Sequence, residues 1–367
     1  MNIFVLIMLV FAALGLVDKI LGGKLGFAPE FDTGLANMGG LALSTVGLYS
    51  IGVSFVTGHA EEVASLGERL PFDSSLLIGS VLAPDMGALG IAQRVAATPA
   101  LACFSGAFVA GGLGMTVGYQ LPVFLAAVKK EEIPGLMQGF IFGLIPLPVG
   151  LFAAGLFIGI PVPVLLINLL PVIFLCVLLI AAFLLAPSGT MKVLIVFGNF
   201  IRIVSFVFFG IAVIGVFSPE YCPVDQALVS EMLYMVLRMV IVCCGGLVLS
   251  KIALEKLKAP IARAGKALGI NNVAVVGLIL SLTQSLAMLP LYSRMDRKGQ
   301  VMNAAFSVSG AYVFGGQMAF VSSLIPQTWV PAYMGNKIIA GILGILIAYA
   351  ALRRISENPS KEIIDGE

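Results

Sequence analysis

LLIGSVLAPDMGALGIAQ, residues 76–93, is apolar enough to enter a bilayer, yet its middle reads Pro84-Asp85-Met86-Gly87. Proline removes a backbone donor and clashes with the turn before it, and glycine loosens the turn that follows. An aspartate at the centre of a bilayer costs roughly 2.5–3.5 kcal/mol on insertion scales. Irregular backbone is tolerated at membrane depth only where it lines a cavity or is buried in protein. A membrane segment that breaks itself beside a carboxylate therefore predicts a binding cavity. A second break is predicted at Thr283-Gln284-Ser285, in the middle of the apolar run 271–292.

The surroundings of these two breaks are membrane throughout. Of the 367 residues 59% are hydrophobic and 11% charged, with a mean hydropathy of +1.07. Soluble domains sit nearer about 45–50% and 25%. Apolar runs of around twenty residues, each long enough to cross a hydrocarbon core of about 30 Å, are read at 3–22, 34–58, 98–128, 135–159, 161–185, 193–217, 228–250, 301–325 and 330–352. With the two broken runs, these make an all-α polytopic membrane protein of nine to eleven hydrophobic segments. Residues 1–352 are expected to form a single transmembrane domain and residues 353–367 a polar cytoplasmic tail. A net charge of +2 gives no reason to expect nucleic acid. Cys103, Cys176, Cys243 and Cys244 lie in apolar runs and Cys222 in a loop, so neither a disulfide framework nor metal-ligand spacing is present. The N-terminus is apolar from Ile3 without a basic flank, which reads as a first span and not as a cleaved leader.

Charge placement discriminates between topologies. If all eleven runs cross, the basic stretch from Lys251 to Lys266 and the pair Arg353-Arg354 fall on opposite sides. If the runs 76–93 and 271–292 each enter and return on one side, the positive charges gather. Lys129-Lys130, Lys192, Lys251 to Lys266, Arg294 to Lys298 and Arg353-Arg354 are then all cytoplasmic. The acids of the 59–73 loop, Glu61 and Glu62 among them, and Glu220 and Asp225 are then outside. Nine crossings with two re-entrant hairpins entering from opposite faces is the preferred reading. Opposite entry is what an inverted repeat produces, with halves 1–134 and 193–352 around a linking helix pair at 135–192.

Several of these stretches resemble the ethanolamine-utilisation membrane transporter family of bacteria, over nearly the full length. The similarity is carried by Val17-Asp18-Lys19-Ile20-Leu21, FDTGLANMGGLALSTVG from Phe31, Asp85-Met86-Gly87, and Asn168 with Pro171-Val172-Ile173. It continues through GINNVAVVG from Gly269 and MDRKGQVMNAAFSVSGAYVFGG from Met295, and reaches Lys337. The resemblance implies a permease of the inner (plasma) membrane that imports ethanolamine for breakdown to ammonia and acetaldehyde inside a microcompartment. Two departures bear on the substrate before they bear on the fold. Thr283-Gln284-Ser285-Leu286 stands where the family pattern has Asn-Asn followed by Ile-Pro. Gly316-Gln317 stands where it has an Asp-His pair after the glycine.

The candidate substrate-binding residues are Asp85, Met86, Thr283, Gln284, Ser285, Asn303 and Gln317. Intramembrane acids default to function, although Asp85 could instead cap the half-helix after its break. Thr283, Gln284 and Ser285 could contact substrate or only satisfy freed backbone. Asn271-Asn272 reads as a helix cap. Arg202 and Arg238 are expected to snorkel or to meet backbone carbonyls, and Lys337 to snorkel near the outer end, unless it has the functional role that the family resemblance leaves open to it. Asp18-Lys19 reads as an interface pair. His59, in a loop, is given no role.

Ethanolamine is protonated at neutral pH, so a carboxylate with neutral hydroxyl and amide groups suits both its ends. The leading expectation is a carrier of ethanolamine or a closely related small amine. The alternative is a gated channel or facilitator for a small polar solute. An enzyme is not expected, with one histidine, no paired acids at hydrolase spacing and no metal motif. The expected partners are a small-molecule amine and the lipid bilayer, with no cofactor. A coupling ion and a homo-oligomer are left open.

Overall fold

The computed structural model describes residues 3–59, 62, 67, 69–221 and 224–357. Glu61, Cys222 and residues 358–367 of the tail lie outside them. Among the described residues there is no strand, and the architecture is helical throughout.

The chain opens with α1 (Ile3–Ile20) and α2 (Ala28–Gly58). Helix α2 starts earlier than the apolar run suggested, taking Glu30 and Asp32 into its first turns. The reason is Asp18. It is fully buried and does not pair with Lys19; its carboxylate accepts the N–H groups of Leu25, Phe27 and Ala28 at 2.6, 2.6 and 2.8 Å. Phe27 and Ala28 are the N-cap and first residue of α2, where the N–H groups have no partner within the helix. Lys19 pairs with Asp32, and Lys251 with Glu30 at 3.0 Å.

The first broken segment is a hairpin: α3 (Ser75–Gly79), an irregular tip holding Asp85, and α4 (Ala88–Val95). Its two ends are clasped together. The Asp73 carboxylate accepts Ala97 N–H at 2.8 Å and Ser75 N–H at 3.0 Å, and the Ser75 hydroxyl as well. Asp73 N–H donates to Asn168 Oδ1 at 2.8 Å, which docks the base on a later helix. The chain reverses after α4 into α5 (Pro99–Ala127), a long span that is almost entirely buried. Residues 104–114 and 116–120 of α5 are π-helical. Its glycines admit the hairpin backbone: a Cβ at Gly114 would lie 2.2 Å from Leu82 O, and one at Gly118 2.2 Å from Val81 O.

Four long helices follow: α6 (Lys130–Phe157), α7 (Val162–Leu185), α8 (Pro187–Phe217) and α9 (Gln226–Lys256). The amphipathic α10 (Lys258–Leu268) then turns by 108° into α11 (Asn272–Thr283). Although this bent pair is apolar enough to be counted as a crossing, it does not leave on the far side. Beyond Gln284 and a 3-10 turn, α12 (Leu289–Tyr292) leads the chain back to where it entered. The base is closed by Asn271 N–H on Asp296 Oδ1 (2.9 Å) and Asn271 Nδ2 on Arg294 O (2.9 Å), while Asn271 Oδ1 caps Ala274 N–H.

The remaining elements are α13 (Arg297–Ser309), α14 (Gly316–Leu324) and α15 (Val330–Glu357). The run 301–325, read as one continuous span, is broken between α13 and α14. Tyr312 in the gap adopts φ +63°, a left-handed conformation that costs a non-glycine residue free energy and needs support from its surroundings. That support is local. Tyr312 N–H and Phe314 N–H donate to Ser281 O and Leu282 O at 3.0 and 2.9 Å, so the gap pairs with the frayed end of α11.

Among the described residues eight helices are long and apolar enough to cross, and the broken α13–α14 segment runs from the base of the second hairpin at Asp296 to Leu324, whose carbonyl accepts Gln93 Nε2 beside the base of the first. Five crossings, α5 to α9, separate the two hairpin bases, so the hairpins enter from opposite faces. In the packing, α2 lies along α9, α1 packs on α9, and α8 packs on α2.

Candidate functional site

Both hairpin tips and the α13–α14 gap end on one cavity of about 360 Å3. Hairpin 1 contributes Asp85 and Met86, hairpin 2 Thr283 and Gln284, and the third break Tyr312, Gly316 and Gln317. The wall is completed by Asn37, Ser44 and Thr45 of α2, Met115 and Tyr119 of α5, Arg202 and Phe206 of α8, and Met239 and Cys243 of α9.

Local chain chemistry explains why Asp85 sits at a tip. Ala83 is extended before Pro84, Pro84 to Met86 form a single 3-10 turn, and Gly87 takes φ +105° before α4 begins. Asp85 is 9% exposed, and its Oδ1 has no hydrogen-bond partner. Gln317, in the first turn of α14, lies beside it. The Gln317 Oε1 accepts the Tyr333 hydroxyl at 2.8 Å, which fixes the amide so that its Nε2 is left without a partner. A buried polar atom without a partner costs about 1–3 kcal/mol, more for a charged group. An acceptor and a donor on the lining of one cavity, neither within hydrogen-bond distance of a partner, are therefore informative.

Five of the seven sequence candidates line the cavity: Asp85, Met86, Thr283, Gln284 and Gln317. Two do not. Ser285 is fully buried behind the wall, accepting from Gln120 Nε2 at 2.6 Å and donating to the Tyr312 hydroxyl at 2.9 Å. Asn303 is turned away, its Nδ2 donating to Ala274 O and Gly299 O at 2.9 Å, where it fastens α13 to α11. Its place is structural because an amide on that face meets the hairpin backbone before it meets any space.

Two basic residues depart from expectation. Lys337 does not snorkel: it is 2% exposed, and its Nζ donates to Gly111 O at 2.8 Å and Ala311 O at 3.0 Å. Arg202 stands on the cavity wall, with no hydrogen bond or ion pair among the described residues. Arg238 lies over the Tyr234 ring at 5.8 Å, and Glu231 accepts the Tyr49 hydroxyl at 3.3 Å. His59 stacks on Phe55 at the surface. Tyr119, Tyr312, Thr45 and Cys243 were missed by the sequence reading, because a lone hydroxyl or thiol in an apolar run carries no directional signal. Among the described residues no cluster of His, Cys, Asp or Glu could hold a metal ion.

Over nearly its whole length the chain is similar to known proteins. The family model described as "Ethanolamine utilisation protein, EutH" matches residues 1–351. A relative from Listeria monocytogenes named "Probable ethanolamine permease EutH" is 29% identical, covering 98% of this chain and 97% of its own. The Escherichia coli protein of the same name is 25% identical over 95% of this chain and 94% of its own. A Bacillus subtilis protein, "Uncharacterized protein YxeR", is 27% identical over 95% and 93%. No solved structure matches.

Proposed function

The chain belongs to the ethanolamine utilisation protein family EutH, and from that premise we propose that it is a permease of the cytoplasmic membrane that carries ethanolamine inward. The observation that supports this reading is the open pair in the cavity: Asp85 Oδ1 and Gln317 Nε2, each buried and without a partner. Protonated ethanolamine has the complementary pair, an ammonium that donates and a hydroxyl that accepts, two carbons apart. Asp85 would hold the ammonium through a charge-assisted hydrogen bond. The Gln317 amide would take the hydroxyl, and Met86 would face the short alkyl link. Thr283 and Gln284 would close the cavity from the other hairpin. The glutamine at 317 favours a polar, uncharged end on the substrate, where an acid would attract a second positive charge.

The single transmembrane unit would work as two inverted halves, residues 1–134 and 193–352, each contributing one hairpin to the central cavity. The exchange of partners, α1 on α9 and α8 on α2, supports that relation. Broken helices meeting at mid-membrane let one half move against the other around a fixed site.

The test is uptake of radiolabelled ethanolamine by purified protein in liposomes, with choline and amino acids as competitors. Saturable uptake is expected for the parent protein; uptake that rises linearly with concentration would favour a channel. Asp85→Asn keeps the shape and loses the charge. It should insert and stay monodisperse yet lose most saturable uptake, while Asp85→Glu should retain part with a raised KM. Parent-like transport by Asp85→Asn would make the carboxylate a cap and refute the assignment.

A further inference from the structure

Lys337 has no ordinary structural justification where it stands. A lysine ammonium is compact and strongly hydrated, and burying it costs several kcal/mol unless charge and hydrogen bonds compensate. At 2% exposure, it has no carboxylate within ion-pair distance among the described residues. It is held by two backbone carbonyls and the faces of two rings, Tyr333 at 5.3 Å and Tyr312 at 5.9 Å.

Those partners are not ordinary helix backbone. Ala311 lies in the gap between α13 and α14, and Gly111 lies in the π-helical part of α5. Gly111 is also where the lysine and the cavity come together. A Cβ built there would meet Tyr333 at 3.3 Å, Gln317 Oε1 at 3.4 Å and Lys337 Cε at 3.5 Å. Tyr312 has one face toward Lys337 and also lines the cavity. The ammonium is thus one side chain behind the wall that carries Asp85, Tyr312 and Gln317. A buried carboxyl group and a buried amine share one cluster. One has an open oxygen, the other sits on loosened carbonyls at the end of a flexible four-carbon stem.

We propose that Lys337 is a tethered counter-cation of the amine site, its ammonium and that of the substrate being alternative partners of the Asp85 carboxylate. With the side chain drawn back onto Gly111 O and Ala311 O, as here, Asp85 is open to a bound amine. With the side chain forward, Lys337 takes the carboxylate, displaces the amine and leaves the site neutral for the return step. The substrate must then bring its own positive charge, and release needs no second ion. This rests on the reading of Asp85 as the amine site.

The substitution that tests it is Lys337→Gln, which keeps two N–H donors but carries no charge; Lys337→Met is the apolar counterpart of similar length. In proteoliposomes Lys337→Gln should bind ethanolamine at least about tenfold more tightly, the equivalent of roughly 1.4 kcal/mol of lost competition. Exchange of labelled for unlabelled ethanolamine should persist, while net efflux into amine-free buffer falls by about the same factor. Lys337→Arg, keeping the charge, should bind within about twofold of the parent. An unchanged or weakened affinity in Lys337→Gln, or net efflux as fast as exchange, would overturn the proposal. So would failure of both Gln and Met variants to insert, since a side chain that must leave its seat cannot be the one holding the fold. Asp85→Asn measured in parallel separates the two claims. Parent-like binding by Asp85→Asn removes the site itself. Lost binding there, with parent-like Lys337→Gln, removes only the counter-cation.

Discussion

Replacing Asp73 by alanine isolates the clasp that makes the first broken segment a hairpin. Its carboxylate accepts Ala97 N–H and Ser75 N–H at 2.8 and 3.0 Å, joining residues on either side of a stretch that goes into the membrane and comes back. A hydrogen bond to a charged group contributes about 1.5–3 kcal/mol. Water reaches this base, so the lower bound is the better guide, about 3 kcal/mol for the two. That is a shift of roughly a hundredfold in the equilibrium between closed and open base. The direct assay is a cross-link. In a cysteine-free background, Ser74→Cys with Ala96→Cys should oxidise to a disulfide rapidly, since Ser74 Oγ lies 3.5 Å from Val95 O. Adding Asp73→Ala should slow the reaction by one to two orders of magnitude, roughly the fraction of closed base lost. Asp73→Asn keeps one acceptor and should fall between. Equal rates with and without the carboxylate would show that Asp73 does not hold the ends together. No cross-link even with Asp73 intact would mean that 73 and 97 are not neighbours, and the re-entrant reading would fail with them.

Two further outcomes follow from the same geometry. Gln317→Asp places an acid beside Asp85 and draws the acceptor one carbon back from Tyr333; it should shift competition toward dicationic amines by about tenfold or more without loss of membrane insertion, and an unchanged competition profile would place position 317 outside the binding region. Single cysteines at Lys298 and Glu62, labelled in intact cells with an impermeant reagent, should react at 62 and not at 298; the opposite pattern would sink the nine-crossing arrangement with cytoplasmic basic loops.

The two hairpins were legible because their breaks use residues hydrocarbon penalises: a proline and an aspartate in one, three consecutive polar side chains in the other. The surrounding charges then favoured nine crossings over eleven. The third break was not legible for the opposite reason. Gly310 to Gly315 contains nothing but small, apolar and aromatic residues, and hydropathy cannot tell an unwound Ala-Tyr-Val-Phe from a helical one. What unwinds it is tertiary: the freed end of α11 supplies carbonyls at Ser281 and Leu282 that Tyr312 and Phe314 satisfy. The break also separates Asn303 from Gln317. On an uninterrupted helix, residues fourteen apart lie within about 40° of each other, which would put both on one face. The gap at 310–315 destroys that phase. Asn303 stays with α13 and fastens it to the hairpin, while Gln317 restarts in the first turn of α14 beside Asp85. Lys337 went astray through depth and not phase: counted from the end of its helix it looks close enough to water to snorkel. It is kept inside because the same third break, together with the π-helical stretch of α5, leaves carbonyls free to receive it. A cavity built where helices stop can thus be located from sequence by its strongest breaks, but which side chains enter it is decided by the breaks that composition does not mark.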